Sequence, residues 1–422
     1  MKEELLHFIW KYKLFSIEIK TISNEKIEVV KTGFLNTNEG PDFLMASVKI
    51  GNLIWNGNIE IHVNASDWEK HNHSQHPQYQ NIILHIVYNN DKEISFLNEK
   101  NIPTLELKNY ISKSIFENYN VLFNLSNSFI PCEKIVEKNK ENLKIDSFFE
   151  RLYIAKLERN YSQIQEDLKA TNQNWEGVLF HRIAYTFGLK VNANVFLNIA
   201  KSEDYQIIKK LQKNKLQLES FLFGKANLLS DFDNYSNNLK NEFDFIQNKF
   251  SLDKHSFSVN FLRLRPQNFP TIRLSQLADL YFQYQNLFSF VVGTKSLANF
   301  YTMFSEIKAS DYWDTHYVFG KVSEKSISKK ISKAQIDLLI INAILPIKYA
   351  YQRSINEHSD DIFDILREMK SEKNTIITQF SELKIDAKNA LESQAIIELY
   401  NKYCNEKRCL DCEIGYKILN NK

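Results

Sequence analysis

Residues 43–63 read FLMASVKIGNLIWNGNIEIHV, two runs rich in aliphatic and β-branched residues on either side of Gly51-Asn52. That pair suits a two-residue turn, so the segment reads as a β-hairpin in which Ile50 faces Leu53, Lys49 faces Ile54, and so on outward. Side chains alternate along a strand, so Glu60 and His62 share one face of the second strand. In strict register Asp42, which precedes the hairpin in NEGPDF, falls opposite Ile61. A one-residue offset is needed to bring its carboxylate beside Glu60, and Gly57 is the expected site of a bulge that supplies it.

Working outward, IEVVKTGF and NIILHIVY read as further strands, punctuated by LNTNEGP and NNDK. The opening MKEELLHFIWKYKLF has charges on both sides of a short apolar run and no small-residue cleavage site, which predicts a helix and not a signal peptide. From about residue 145 the apolar period becomes helical: Phe148, Leu152, Ala155 and Leu157; Leu274, Leu277, Leu280 and Tyr281; Ile336, Leu339, Ile340 and Ala343. The expected fold class is an α/β or α+β N-terminal domain followed by a mostly α-helical region closed by a C-terminal cysteine cluster. Its expected parts are residues 1–110, a connecting segment 111–147 carrying Cys132, a helical region 148–400 and a cysteine-rich metal-binding segment 401–422.

The chain is 43% hydrophobic and 25% charged, and 53 basic against 51 acidic residues give a net charge of +2. Nothing there suggests disorder, and nucleic-acid contact would have to come from a local patch. No stretch approaches the roughly 18 apolar residues of a membrane span, so a cytoplasmic protein with reduced thiols is expected.

Five of the ten histidines, His62, His71, His73, His76 and His85, occupy a short window with Glu60, Asp67 and Trp68. Such a density of ionisable groups beside hydrophobic strands marks a site or a wet surface. His62, His71 and His73, with Asp67 or Glu60, form one candidate set for zinc, since imidazole suits transition metals. His85 in ILHIVY also reads as a core histidine, and His76 as merely exposed.

Only four cysteines are present, and three of them, Cys404, Cys409 and Cys412 in YCNEKRCLDCEIG, are spaced C-x4-C and C-x2-C. With Cys132 as a fourth ligand they are expected to hold zinc or an iron–sulfur cluster, clasping the end of the chain onto an earlier segment. In RLRPQNFPTIR, Arg263, Arg265 and Arg273 are candidate phosphate contacts, with ion pairing between helices as the structural reading. Trp313, His316, Tyr317 and Lys321 offer either a stacking surface for bases or a packed aromatic anchor.

Pro41-Asp42 followed by Glu60-Ile61-His62 resembles the signature of the PD-(D/E)XK nuclease superfamily, and the order of elements agrees: a first helix with Glu3 and Glu4, the hairpin, a short helix around Ser66–His71, then strand Ile82–Tyr88. The resemblance implies a PD-(D/E)XK-like mixed sheet in which Asp42 and Glu60 bind magnesium or manganese, with His62 in the position of the lysine that orients water. It further implies a metal-dependent nuclease acting on phosphodiester bonds of DNA more readily than RNA. Histidine for lysine is a departure, because its charge near neutral pH depends on its surroundings. The alternatives are a non-catalytic nucleic-acid-binding or assembly protein with a structural metal, and a zinc hydrolase using the histidine cluster. Over nearly its full length the chain also resembles a family of uncharacterised bacterial proteins known as a domain of unknown function, on GFLNTNEGPDF, WNGNIEIHVNASDWEKH, YQNIILHIVY, LRLRPQNFPTIRLSQLADL, YWDTHYVFG and YCNEKRCLDCEIG.

Overall fold

The computed structural model describes residues 2–124, 128–138, 146–230, 232–357 and 360–420. The chain divides into two compact units. One comprises Met1–Lys144, Glu382–Lys384 and Leu399–Lys422, and the other Ile145–Ser381 and Ile385–Glu398. The first is a mixed α/β unit and the second is built mostly of helices, as the change in apolar period predicts.

The α/β unit begins with helix α1 (Glu3–Lys11), which buries Leu5, Leu6, Phe8, Ile9 and Trp10. Its sheet contains β1 (Ile19–Lys20), β2 (Lys26–Lys31), β3 (Phe34–Leu35), β4 (Phe43–Ile50), β5 (Leu53–Asn64), β6 (Ile82–Asn89) and β7 (Thr104–Glu106), in the order β1-β2-β4-β5-β6-β7 with β3 beside β4. The first strands pair antiparallel, whereas β5, β6 and β7 run parallel. Ile82–Val87 of β6 is buried throughout, as expected of a central strand with parallel neighbours and covered faces.

The hairpin forms as read, with Gly51 at φ 58° in the turn and Ile50 opposite Leu53. The register holds from Ile50 to Ala46, which faces Gly57, and then shifts so that Phe43 faces Ile59. The extra residue lies on β4 and not at Gly57. Met45 adopts a left-handed φ of 57°, and its N–H bonds to the Asn58 side chain at 3.2 Å. Gly57 serves a different purpose: a Cβ there would lie 2.5 Å from Ile83 Cγ2 and 2.7 Å from the Asn81 carbonyl, so glycine permits β6 to approach.

Chain end and chain start share this unit. Two short helices, α2 (Asp67–Lys70) and α3 (Ser95–Glu99), come between strands in the chain; helices α4 (Lys113–Asn124) and α5 (Glu133–Lys138) follow the sheet, and the C-terminal helix Glu413–Asn420 joins α4 through an Asn118 side-chain bond to the Ile418 carbonyl at 3.0 Å. Tyr416 of that helix packs on Phe8 and Tyr12 of α1, with ring centroids 6.2 and 4.7 Å apart.

The helical unit has one large core that includes Phe180, Ile183 and Phe187 of helix Trp175–Phe187, Phe221 and Phe223 of Lys215–Lys225, and Leu277 and Tyr281 of Pro270–Gln283. Trp313 is fully buried there and stacks on Phe223 at 5.5 Å, a packed anchor. Among the described residues, no helix is long and apolar enough to cross a membrane.

Candidate metal centre

The bulge at Met45 positions Asp42. With Phe43 opposite Ile59, the chain before β4 meets β5 one residue earlier than a straight hairpin would allow, and the Asp42 N–H donates to Glu60 Oε2 at 3.2 Å. In return Asp42 Oδ2 accepts the N–H of Ile61 at 2.9 Å. The offset required by the sequence therefore exists, although a methionine without glycine's conformational freedom supplies it.

Glu60 and His62 project from the same face of β5, and the parallel register of β6 sets His85 beside Glu60. The His62 Nδ1 and His85 Nε2 atoms are 3.0 Å apart. His73 arrives from a short 3₁₀ turn, His73–Gln75, entered through Asn72 at φ 57°. Its ring stacks on Tyr79 at 4.0 Å and meets Trp68 edge-on at 5.4 Å, while Trp68 is itself fixed by a 3.0 Å bond from Nε1 to Ser74 Oγ.

The result is a triangle of ligand-type atoms. Glu60 Oε1 lies 3.1 Å from His73 Nε2 and 3.5 Å from His62 Nε2, and the two Nε2 atoms are 3.2 Å apart. An ion bound tetrahedrally by bonds of about 2.0–2.1 Å requires neighbouring ligand atoms about 3.3 Å from one another. His71, exposed at the rim, offers a further nitrogen: one ligand atom from each of His62, His71 and His73 lies within 4.8 Å of the others. Asp67 is turned elsewhere, accepting the Asn64 N–H at 3.0 Å and pairing with Lys70 at 2.5 Å.

The electrostatics favour lone pairs on the imidazoles. Burial, reinforced by His85, His73 and His71, drives His62 down to about 2, and burial with His73 drives His85 down to about 3. Burial also lowers His73. Glu60 is pushed up to about 9 by burial and by the Asp42 charge, against the opposing bond from the Asp42 backbone. The pocket thus favours neutral rings at His62 and His85 beside a carboxyl that resists ionisation. For His62 Nε2 to ligate an ion, its proton must sit on Nδ1 and be donated to His85 Nε2, an outer hydrogen bond that orients the ring.

Two groups of α1, one turn apart, complete the site. His7 Nε2 lies 3.3 Å from Asp42 Oδ2. Burial alone would depress His7, but the adjacent Asp42 carboxylate, with Glu3 and Glu60, raises it instead. Glu3 is raised to about 7 by burial and by Asp42. His7 also lines a groove of about 520 Å³ whose walls carry both signs of charge, Lys2, Lys11, Lys407 and Arg408 with Glu4, Glu406 and Asp411. The participation of His7 was not read from the sequence, although its i, i+4 spacing from Glu3 was a signal that could have revealed it.

Of the other predicted residues, Cys132, Cys404, Cys409 and Cys412 line one small cavity in the α/β unit, and all four are free thiols. Arg263, Arg265 and Arg273 belong to the helical unit. Arg263 and Arg265 are exposed. Arg273 is buried, its fork donating to Gln276 Oε1 at 2.8 Å and Asn268 Oδ1 at 2.6 Å, so it braces its own segment.

A family model described as "Protein of unknown function (DUF2851)" matches residues 3–375. No curated protein and no solved structure matches the chain.

Proposed function

Because the chain belongs to this family of proteins of unknown function, we propose its activity from the site: a metal-dependent hydrolase of phosphodiester bonds, in which Glu60, His62 and His73, with His71 at the rim, hold a divalent transition metal. The observation that carries the reading is the Glu60–His62–His73 triangle, whose edges of 3.1, 3.5 and 3.2 Å suit one small ion. Imidazole ligands favour manganese or zinc over magnesium. His62, at the position the PD-(D/E)XK resemblance gives to lysine, is then a ligand and not a water-orienting cation. The same resemblance is supported by the order of helix, hairpin, short helix and strand, and by carboxylates on adjoining strand ends.

An ion held there supplies a Lewis acid and a water of lowered pKa. Asp42, partly exposed, presents its carboxylate at the mouth and can accept a proton from the attacking water. His7, whose pKa its acidic neighbours raise, is the proposed donor of a proton to the departing oxygen. The exposed Arg263 and Arg265 remain proposed contacts to nucleic acid, DNA before RNA.

The test is metal analysis of the purified protein, with cleavage of labelled single- and double-stranded DNA and RNA in manganese, zinc or magnesium. We expect cleavage that chelation abolishes, and loss of both bound metal and cleavage in His73→Ala and Glu60→Ala. Metal content indifferent to both substitutions would overturn the site. Metal retained through Glu60 and His73 without cleavage of any polynucleotide would overturn the phosphodiesterase and leave a zinc hydrolase of small substrates.

A further inference from the structure

The four cysteines come from three separate backbone features. Cys132 directly precedes α5, Cys404 ends a π-helical turn, Tyr400–Cys404, and Cys409 begins a 3₁₀ turn whose exit is Cys412. Cys132, Cys409 and Cys412 are buried, Cys404 is half-buried, and together with Leu122, Pro131, Tyr403 and Gly415 they enclose a single small cavity. Chance burial of four thiols would scatter them through two cores. Here the chain's entire complement of cysteine lines one small cavity across more than 270 residues of sequence separation.

Two local features shape the backbone around the sulfurs. Cys412 occupies the cap position of the helix Glu413–Asn420, and the N–H groups of Ile414 and Gly415 point at its sulfur as they would at a capping serine oxygen. Gly415 is there because nothing larger fits: a Cβ would lie 1.9 Å from the Cys409 carbonyl oxygen, so the residue's absence of side chain lets the Cys409 turn close over the helix start.

We propose that Cys132, Cys404, Cys409 and Cys412 are the four ligands of one thiolate-held metal centre, a zinc ion or an iron–sulfur cluster, separate from the Glu60–His62–His73 site. Its role is structural. The loop it pins, residues 404–412, carries Lys407 and Arg408 into the wall of the groove that also contains His7. Tyr403 stacks under Arg408 at 5.1 Å, and Phe129, three residues before Cys132, stacks on Tyr400 at 4.8 Å. The centre would therefore fix the loop that carries Glu406, Lys407, Arg408 and Asp411 at that groove.

The experiment uses full-length protein purified anaerobically. Metal and acid-labile sulfide are quantified, and alkylation of each cysteine is followed by mass spectrometry before and after metal release by a mercurial followed by thiol. We expect one centre per chain that Glu60→Ala retains, that the double variant Cys409→Ser/Cys412→Ser loses, and whose release exposes all four thiols to alkylation. Colourless protein with zinc identifies the ion; iron, sulfide and broad visible absorption identify the cluster; either supports the proposal. Wild-type protein lacking any metal beyond that lost in Glu60→Ala, or thiols whose alkylation is unaffected by metal release while the fold persists by circular dichroism, would overturn it. The wild-type measurements decide the matter even if the double variant does not fold.

Discussion

In the helical unit Lys348 is completely buried, and its ammonium donates to the carbonyls of Val292 at 2.8 Å and Thr294 at 2.9 Å while pairing with Asp361 at 2.9 Å. Lys225 is enclosed in the same way by Glu203 at 2.5 Å and the Asp253 carbonyl at 2.8 Å, and Lys329 by the carbonyls of Asp314 and Ile327. In the α/β unit the buried ionisable groups face one another instead: acceptor atoms of Glu60, His62 and His73 converge, the Asp42 charge opposes ionisation of Glu60, and His85 Nδ1 has no hydrogen-bond partner among the described residues. Burial alone does not separate scaffold from site. The distinction lies in whether each buried charge has been answered by the surrounding chain.

The sharpest way to break that contrast is to remove one member on each side. Lys348→Met takes the ammonium from Asp361, which keeps Gln352 at 3.2 Å, and from two carbonyls in the core, and is expected to lower the stability of the helical unit by about 3 kcal/mol. Glu60→Gln keeps an acceptor for the Asp42 N–H and replaces a carboxyl that already resists ionisation with a neutral amide, so the metal-free protein should change by less than about 1 kcal/mol, in either direction. Urea titrations of chelated protein read both. A large loss in Glu60→Gln would mean that the cluster is a structural network after all. A negligible one in Lys348→Met would mean that enclosure by carbonyls contributes little.

Much of the candidate site was legible because strand alternation is a rigid rule. From Gly51-Asn52 outward it assigns Glu60 and His62 to one face, and the need for an offset at Asp42 followed from counting. The bulge was sought at Gly57 because glycine is the residue that signals irregular backbone, whereas Met45 carries no such signal; what holds it is the Asn58 side chain, a contact visible only once the strands are paired. His73 was among the candidate ligands, but its convergence with His62 depends on a left-handed Asn72 and on Tyr79 and Trp68 packing around its ring. Arg273 illustrates the reverse: an arginine beside two prolines has the composition of an anion site, yet both ends of its fork are bound by Asn268 and Gln276 within its own turns. Helical periodicity revealed the class of the second unit and said little about its chemistry, since period reports which face is buried and not what partners a buried polar group finds.

Gly57→Ala is expected to have an intermediate effect. The new methyl meets the Asn81 backbone at 2.7 Å as well as Ile83, and backbone cannot swing aside as a flexible side chain can. A cost of about 1–3 kcal/mol should fall on the α/β unit. Because β6 carries His85 beside Glu60, metal affinity should fall with it, read by titration with a fluorescent competitor. Loss of stability with unaltered metal affinity would show that the cluster tolerates movement of β6, and would weaken the case for His85 as the group that orients His62.

Met45→Gly should have the smallest effect, and it has the opposite sign. Met45 is 68% exposed and sits at φ 57°, a conformation that costs a residue with a Cβ about 1 kcal/mol and costs glycine nothing. Glycine gains part of that back for the unfolded chain by its greater freedom, so the net stabilisation should be at most about 1 kcal/mol. The bond from the residue 45 N–H to Asn58 survives the change, so the bulge, the placement of Asp42 and the metal affinity should all be retained. Deleting Met45 is the complementary perturbation: Leu44 would then pair with Asn58 while Phe43 keeps Ile59 and Asp42 keeps Glu60, so the register at the site survives without the bulge. If the deletion leaves metal binding and any cleavage intact, register alone places Asp42 and the bulge is incidental; if the deletion impairs them, the local geometry of the bulge, and not the register, makes the site.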